Sequence, residues 1–500
     1  MTKENIKLPE AFCQRMQGLL GQEAEEFFSS YEWGREYGLR YNPLKFTSQR
    51  EFEEKLGKEL GYGLSPVPWC AQGYYYKEEQ QPGKHPWHEA GAYYIQEPSA
   101  MSAVELLGVL PGDTVCDLCA APGGKTSQIA GKMQGQGLLV SNEFYASRAK
   151  ILAQNVERMG IANTVVLNES TEHLAQVFPQ FFDKILVDAP CSGEGMFRKD
   201  LQAVQEWSAD NVALCAERQR EILEHAAVML KPGGVLVYST CTFAPEENER
   251  NICHFLQGHP EFSLESAEVG EQYFSHGLPE LECSSKDTAC NCANLQNAFT
   301  AELTKTYRLW PHRLRGEGHF LARLRRVGME EGVRDFLGKT AGKSRKKRRA
   351  AKDKEAVRIE AATAAYRKFQ KETLRIDLPE RIGGRYVLFA EEIYLLPEKM
   401  RDLSGLKVVR AGLHLGTCKK NRFEPSHALA LHLHQEEAKR CVDLAGCSDA
   451  VKYLHGETVS CDSAQKGWTL VCVNGLSLGW GKAHNGVVKN HYPKGLRVCY

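Results

Sequence analysis

Five short segments of this 500-residue chain bring together side chains able to do chemistry, each at the end of an apolar run. The first is Asp117-Leu118-Cys119-Ala120-Ala121-Pro122-Gly123-Gly124-Lys125-Thr126. Its two glycines remove side chains where the backbone must turn tightly and approach a ligand. It has neither the GxGxxG dinucleotide fingerprint nor the spacing of a phosphate-binding loop. The second, GLLVSNEF, places Glu143 26 residues after Asp117. An acid there can accept both hydroxyls of an adenosine ribose. A Gly-rich turn with a ribose acid but no phosphate cradle suits S-adenosylmethionine better than a dinucleotide. The backbone of Cys119, Ala120, Ala121, Pro122, Gly123, Gly124 and Lys125 is therefore expected to line that cofactor. After the run TVVLN comes Asn168-Glu169-Ser170, where a polar side chain is placed to read the adenine amino group.

The remaining two segments are Asp188-Ala189-Pro190-Cys191-Ser192-Gly193-Glu194-Gly195 and Ser239-Thr240-Cys241-Thr242. Asp188 closes an apolar run, where a purely structural carboxylate is unwelcome. A lone cysteine is usually a small buried hydrophobe. Two cysteines at equivalent strand ends, beside an acid and a cofactor turn, point to paired thiol chemistry.

The elements needed to position these residues follow from the pattern. Between residues 101 and 327, the runs DTVCDL, GLLVSNE, TVVLN, FDKILVDAP and GGVLVYST alternate with helical stretches such as ASRAKILAQNVERMG. That alternation predicts an α/β fold: a Rossmann-like parallel sheet covered on both faces, with its ligands beyond the carboxyl ends of the strands. GHFLARLRR (318–326) reads as a closing edge strand. Residues 1–100 read as a small α+β domain. Its interleaved Lys, Tyr and Trp residues either bind RNA or pack that domain's core. Residues 328–375 form a basic linker carrying KSRKKRRAAK (343–352), with seven Lys or Arg in ten positions. From 376 to 500 the sequence is strand-rich and ends in a basic, aromatic tail, as in an RNA-binding module or a structural β domain.

Composition narrows the class. Hydrophobic residues make up 42% and charged residues 25%, ordinary values for a globular protein of about three domains. The charge balance of 63 basic against 63 acidic residues neither demands nor excludes a polyanionic partner. No run approaches a membrane span, and MTKENIKLPEAF lacks a signal-peptide core, so a cytoplasmic location is expected. The seventeen cysteines are odd in number, scattered and without a CxxC pair, and read as reduced thiols. Cys283, Cys290 and Cys292 cluster, but they lack a fourth ligand and metal-site spacing, so no metal is expected.

DLCAAPGGKT, VDAPCSGEG and VYSTCTFAPEENE closely resemble the motifs of RNA 5-methylcytosine methyltransferases of the RsmB/RsmF (Nop/Sun) type. GLHLGTCKKNRFEPSHALAL and LGWGKAHNGVVKNHYPKGLR resemble the C-terminal region of the RsmF branch, which ends in a PUA-like RNA-binding fold. The resemblance covers nearly the whole chain. It implies an S-adenosylmethionine-dependent enzyme acting on cytosine of small-subunit (16S) ribosomal RNA, with no DNA or membrane partner. Two departures stand out. The family has Asp at the adenine-side position, where this chain has Glu169, and the basic run at 343–352 is outside the family pattern.

The resemblance also assigns roles. Cys241 is the nucleophile that adds to carbon 6 of cytosine and so activates carbon 5. Asp188 holds the cytosine edge and, as a protonated acid, donates to N3. Cys191 assists elimination. DNA cytosine methyltransferases use the Cys of a Pro-Cys motif instead, so Cys191 stands as the alternative nucleophile. A catalytically dead RNA-binding relative would have lost a cysteine or the Gly-Gly turn, and all are intact. A purine N-methyltransferase would need no paired thiols.

Overall fold

The computed structural model describes residues 7–60, 64–278, 302–328, 345–420, 422–444 and 446–497. Cys283, Cys290 and Cys292 lie outside the described residues.

The apolar runs form strands and the stretches between them helices. The first strands are β1 (Tyr37–Tyr41), β2 (Ser65–Val67), β3 (Cys70–Tyr76) and β4 (Tyr93–Ile95), an antiparallel sheet in the order β2-β3-β1-β4. The central sheet comprises β5 (Thr114–Asp117), β6 (Leu138–Asn142), β7 (Thr164–Leu167), β8 (Phe182–Asp188), β9 (Leu230–Thr240), β10 (Phe262–Leu264), β11 (Ser275–His276), β12 (Tyr307–Leu309), β13 (His319–Arg326) and β16 (Val408–Ala411). Its order is β11-β12-β13-β9-β8-β5-β6-β7-β16, with β10 also paired to β13. Strands β5 to β9 pair in parallel, and helices cover both faces. The chain runs outward from β5 through β6 and β7, then returns to β8 on the other side of β5. The crevice between β5 and β8 is therefore the topological switch point, where ligands of open α/β sheets bind.

The expected edge strand at 318–326 is a strand but not an edge. β13 pairs with β9 on one side and with β12 and β10 on the other. Phe320, Leu321, Ala322 and Leu324 are all buried, and a strand so apolar on both faces needs covering. At the opposite margin, β16 comes from the C-terminal region and pairs antiparallel with β7.

The aromatic run of the N-terminal domain packs inward. Trp69, Tyr74, Tyr75, Trp87, Tyr93 and Tyr94 are all buried, so they build the core rather than an RNA-stacking surface. Arg40 of β1 is also buried; it donates to Gly124 O (2.9 Å) and Ser127 Oγ (2.7 Å). Two N-terminal helices, Glu10–Leu20 and Ala24–Ser29, press Phe12, Met16 and Phe27 against Phe197, Phe243 and Trp310 of the central domain.

The helix Arg345–Thr373 begins in the basic run and ends as core: Ala362, Tyr366 and Phe369 are buried. They pack on the sheet formed by β14 (Arg385–Phe389), β15 (Glu392–Leu396), β17 (Leu413–Lys419) and β18 (Arg422–Pro425). The tether expected at 328–375 is thus, in its second half, part of the C-terminal packing, because Ala362, Tyr366 and Phe369 share one helix face. The last sheet contains β19 (Cys441–Leu444), β20 (Val459–Ser460), β21 (Gly467–Val473), β22 (Leu476–His484) and β23 (Val487–Asn490).

Glu59, His85 and Cys447 meet between the N- and C-terminal lobes, with their potential metal-binding atoms within 4.8 Å of one another. His85 Nδ1 accepts the Trp87 N–H, which puts the imidazole proton on Nε2, 3.2 Å from Cys447 Sγ. The lone pair a metal would need is therefore committed to an N–H facing sulfur. Among the described residues, no helix is long and apolar enough to cross a membrane.

Candidate active site

The turn after β5 is pinned from several directions. Leu118 N–H donates to Leu186 O (3.0 Å) and Ala120 N–H to Asn142 O (2.8 Å). Arg148 reaches Ala121 O and Asn155 reaches Pro122 O, both at 2.9 Å. Gly123 has φ +113°, a conformation that favours glycine, and it leads into the helix Gly124–Met133. Gly124 serves a different purpose from the expected approach to ligand. A Cβ there would meet Tyr94 Cε1 at 3.2 Å and Gln96 Cδ at 3.4 Å, so its bareness lets the N-terminal sheet dock.

Asp117 is fully buried and accepts from Thr126 Oγ1 (2.6 Å), while its Oδ1 has no partner. Burial pushes its carboxyl up to about 7. Burial likewise raises the Cys119 thiol. Glu143, at the end of β6, is buried and accepts the Tyr145 N–H at 3.0 Å. Arg148 Nη1 stands 3.8 Å from its other oxygen. Phe144, next in sequence, is 64% exposed.

Glu169 is engaged differently from the expectation. One of its oxygens accepts the Lys407 N–H (2.6 Å) and the other lies 3.0 Å from His173 Nδ1. Both are therefore held by protein, and the carboxylate braces the segment leading into β16.

Across the switch point, Lys125 Nζ and Asp188 Oδ2 form an ion pair at 2.7 Å. Ser239 Oγ donates to Asp188 Oδ1 (2.7 Å), and His319 Nε2 lies 3.9 Å from the same oxygen. Burial acts to raise this carboxyl, but Lys125 and His319 outweigh it and hold Asp188 well below the usual carboxylate range. Asp188 is an ionised acceptor here, so the expected protonated donor to N3 is not what the site presents.

The two thiols meet at the ends of β8 and β9. Cys191 Sγ and Cys241 Sγ are 3.1 Å apart, and the Cys241 N–H points at Cys191 Sγ (3.3 Å). Cys241 beside it and burial together raise the Cys191 thiol well above its ordinary value. Glu194 is buried under the Cys241 loop, where it accepts from Arg15, from Trp207 Nε1 (2.8 Å) and from Phe243 N–H (3.1 Å). An open groove of about 460 Å³, lined by Cys191, Ser192, Met196 and Asn211, runs alongside.

Family models match in succession along the chain: the 16S rRNA methyltransferase RsmB/F domain over residues 104–325, the N-terminal domain of RsmF over 8–98, its first C-terminal domain over 368–433 and its PUA domain over 445–498. The ribosomal RNA small subunit methyltransferase F of Aliivibrio fischeri is 32% identical over 99% of this chain and 98% of its own length. The chain belongs to the RsmB/F family of 16S rRNA methyltransferases. The Shewanella oneidensis relative of the same name is 32% identical, covering 94% of this chain and 93% of that one. Among solved structures, a methyltransferase homolog protein from Pyrococcus horikoshii is 30% identical with a TM-score of 0.54, covering 64% of this chain and 96% of that one.

The enzyme is an S-adenosylmethionine-dependent methyltransferase, and the donor set fits that cofactor. Glu143, buried at the end of β6, offers a carboxylate of the kind that accepts a ribose diol, and the exposed ring of Phe144 follows it in the chain. Cys119 to Gly123 offer backbone at the turn. Phe144 and His319 escaped the sequence reading, as did Glu194. An exposed aromatic directly after the ribose acid was the available signal for Phe144. The other two act through residues distant in sequence and gave none.

Proposed function

We propose that this enzyme methylates carbon 5 of cytosine in RNA, with small-subunit ribosomal RNA as the target, through a covalent bond between Cys241 and carbon 6. The observation that carries this reading is the facing pair of thiols beside an ionised Asp188–Lys125 couple. The relatives named ribosomal RNA small subunit methyltransferase F supply the substrate class. Exposed Lys489, Lys494 and Arg497 in the PUA-matching segment suit a phosphate backbone.

Carbon 5 of cytosine is too weak a nucleophile to take a methyl group unaided. Attack of the Cys241 sulfur on carbon 6 makes carbon 5 an enamine carbon and sends negative charge towards N3. Asp188 accepts the exocyclic amine of the base. Lys125 Nζ, paired to the same carboxylate, supplies the positive charge that N3 then needs, which replaces the protonated-acid role. Bound S-adenosylmethionine supplies the electrophilic methyl group. A proton must then leave carbon 5 as the carbon–sulfur bond breaks.

The thiol pair divides this labour. Cys191 is kept protonated chiefly by its neighbour Cys241, which suits it to the later step, and Cys241 attacks as the thiolate after giving its proton to solvent. Once Cys241 is bonded to carbon 6, that largest cause disappears and burial chiefly holds the proton. Cys191 then releases its proton to water and is free to take the one on carbon 5. The target base must be unpaired or swung out of its helix to reach these groups.

The test compares single cysteine variants with RNA and cofactor. Cys191→Ala should methylate once and remain trapped, giving a denaturation-resistant protein–RNA band that needs S-adenosylmethionine and intact Cys241. Cys241→Ala should be inactive and give no band. A band in Cys241→Ala that vanishes in Cys191→Ala would make Cys191 the nucleophile. Persistent methylation in Cys241→Ala without any band would rule out covalent activation.

A further inference from the structure

The residues that follow the two cysteines are tied to each other by a buried carboxylate outside the reacting pair. Ser192 Oγ and Thr242 Oγ1 are 2.9 Å apart. Glu247, fully buried, accepts Ser192 Oγ at 2.5 Å and the Ser192 N–H at 3.0 Å. Gln219 Nε2, from the helix Ala209–Met229, donates to the same carboxylate at 2.8 Å and to Pro190 O at 3.0 Å. Tyr238 of β9 closes the ring by donating to Glu247 O at 2.6 Å. The Cys191 loop and the Cys241 loop, 50 residues apart in sequence, thus hang from one side chain.

Such a carboxyl in the interior is costly unless its oxygens are satisfied, and here they hold the Ser192 backbone and hydroxyl and the Gln219 amide. Glu247 touches neither sulfur.

We infer that Glu247 is a positioning residue that sets the spacing of Cys191 against Cys241 through Ser192 and Thr242, and thereby the release of the methylated base. The inference rests on the covalent reading above for its kinetic consequence, but not for its geometric one. A thiol displaced by about 1 Å from its reacting position costs on the order of a hundredfold in rate. Attack by Cys241 needs no partner so exactly placed as the Cys191 that must reach carbon 5, so release should suffer before attack.

The carboxamide of glutamine suits the same ring. Its oxygen can accept the Ser192 and Gln219 N–H groups, and its NH2 can donate to Ser192 Oγ, whose own proton then turns to Thr242. Glu247→Gln should therefore behave close to wild type, and Glu247→Ala should not. Ser192→Ala removes the hydroxyl links but keeps the backbone N–H contact, and serves as a milder break should Glu247→Ala fold poorly.

Two readouts on the full-length enzyme test this. The first is proximity. Diamide oxidises two adjacent thiols to a disulfide while its azo bond is reduced to the hydrazine, and the Cys191–Cys241 linked peptide is quantified by mass spectrometry. Cross-linking should slow several-fold in Glu247→Ala, less in Ser192→Ala, and stay unchanged in Glu247→Gln. The second is turnover. Glu247→Ala should lose about tenfold to a hundredfold in kcat with cofactor Kd unchanged, and should accumulate the protein–RNA adduct. Adding Cys191→Ala to it should raise the adduct no further. An unchanged cross-linking rate in Glu247→Ala and Ser192→Ala, or Glu247→Gln as impaired as Glu247→Ala, would overturn the positioning role. If Cys191→Ala alone traps no adduct, the covalent reading fails, and the cross-linking arm still decides this one.

Discussion

The two halves of the crevice are built in opposite ways. The cofactor side, beyond β5 and β6, is assembled from 27 consecutive residues, Asp117 to Glu143, and works mainly through backbone. The thiol side, beyond β8 and β9, joins loops 50 residues apart and works through side chains. Its supports come from other parts of the chain: Arg15 to Glu194, Gln219 to Pro190, Glu247 to Ser192, and His319 of β13 beside Asp188. A half made of local backbone should fail by losing a ligand. A half made of convergent side chains should fail by losing alignment.

The sharpest test on the cofactor side is Glu143→Ala. Removing a buried carboxyl acceptor for two ribose hydroxyls costs about 1.5–3 kcal/mol, a weakening of roughly tenfold to a hundredfold in S-adenosylmethionine affinity by calorimetry. The Tyr145 N–H loses its partner, yet β6 keeps its ladder, so the melting temperature should fall by only a few degrees. Unchanged affinity would remove Glu143 from the site and with it the contrast between the halves.

Gly124→Val probes the same half with a different expected signature. The added side chain strikes Tyr94 and Gln96, not the space of the turn. Overpacking of this kind costs about 1–3 kcal/mol. Thermal unfolding should therefore shift down, and cofactor affinity should fall less than in Glu143→Ala. Loss of affinity with full stability would mean that Gly124 faces the ligand after all.

The same contrast explains what the sequence disclosed. The Gly-rich turn, Glu143 and the two cysteines were legible because each sits at a strand end fixed by local alternation of apolar runs and helices. Their neighbourhood on the sheet followed from the parallel pairing of β8 with β9. The protein neighbours of Glu169 and Gly124 were not legible because Lys407 and Tyr94 come from other lobes. The aromatic run at 69–94 was ambiguous for a physical reason: Tyr and Trp serve a core and a stacking surface equally well, and only tertiary burial separates them. The edge assignment of β13 failed because β12 and β10 lie in short segments with no periodic signal of their own.

The smallest expected effect is a pH dependence that distinguishes two carboxyl groups flanking Lys125. Asp117 has an ordinary value of 3.8 and is pushed by burial to about 7, so the folded protein holds that proton more tightly than the unfolded chain. Its contribution to stability is complete below about 3.8 and is lost as pH rises through about 7. Asp188 is shifted the other way by Lys125 and His319. Its contribution is present above 3.8 and disappears as pH falls through its lowered value. Glu247, raised by burial to about 7, adds to the Asp117 arm. As pH rises from about 5 to 7, the Asp117 and Glu247 carboxyls therefore pull the stability of the cofactor-free enzyme down, against the upward pull of buried histidines such as His85 and His432, whose values burial lowers. Asp117→Asn should remove part of that downward pull on the melting temperature, since each proton no longer exchanged changes the slope of stability by up to about 1.4 kcal/mol per pH unit. Asp188→Asn should leave this neutral slope alone and lower stability throughout the range, because Lys125 loses its partner. If Asp117→Asn left the slope unchanged, Asp117 would already be ionised in the folded protein. Its unpartnered Oδ1 would then be a buried charge awaiting a cationic group, and the cofactor side would depend on side-chain charge as the thiol side does.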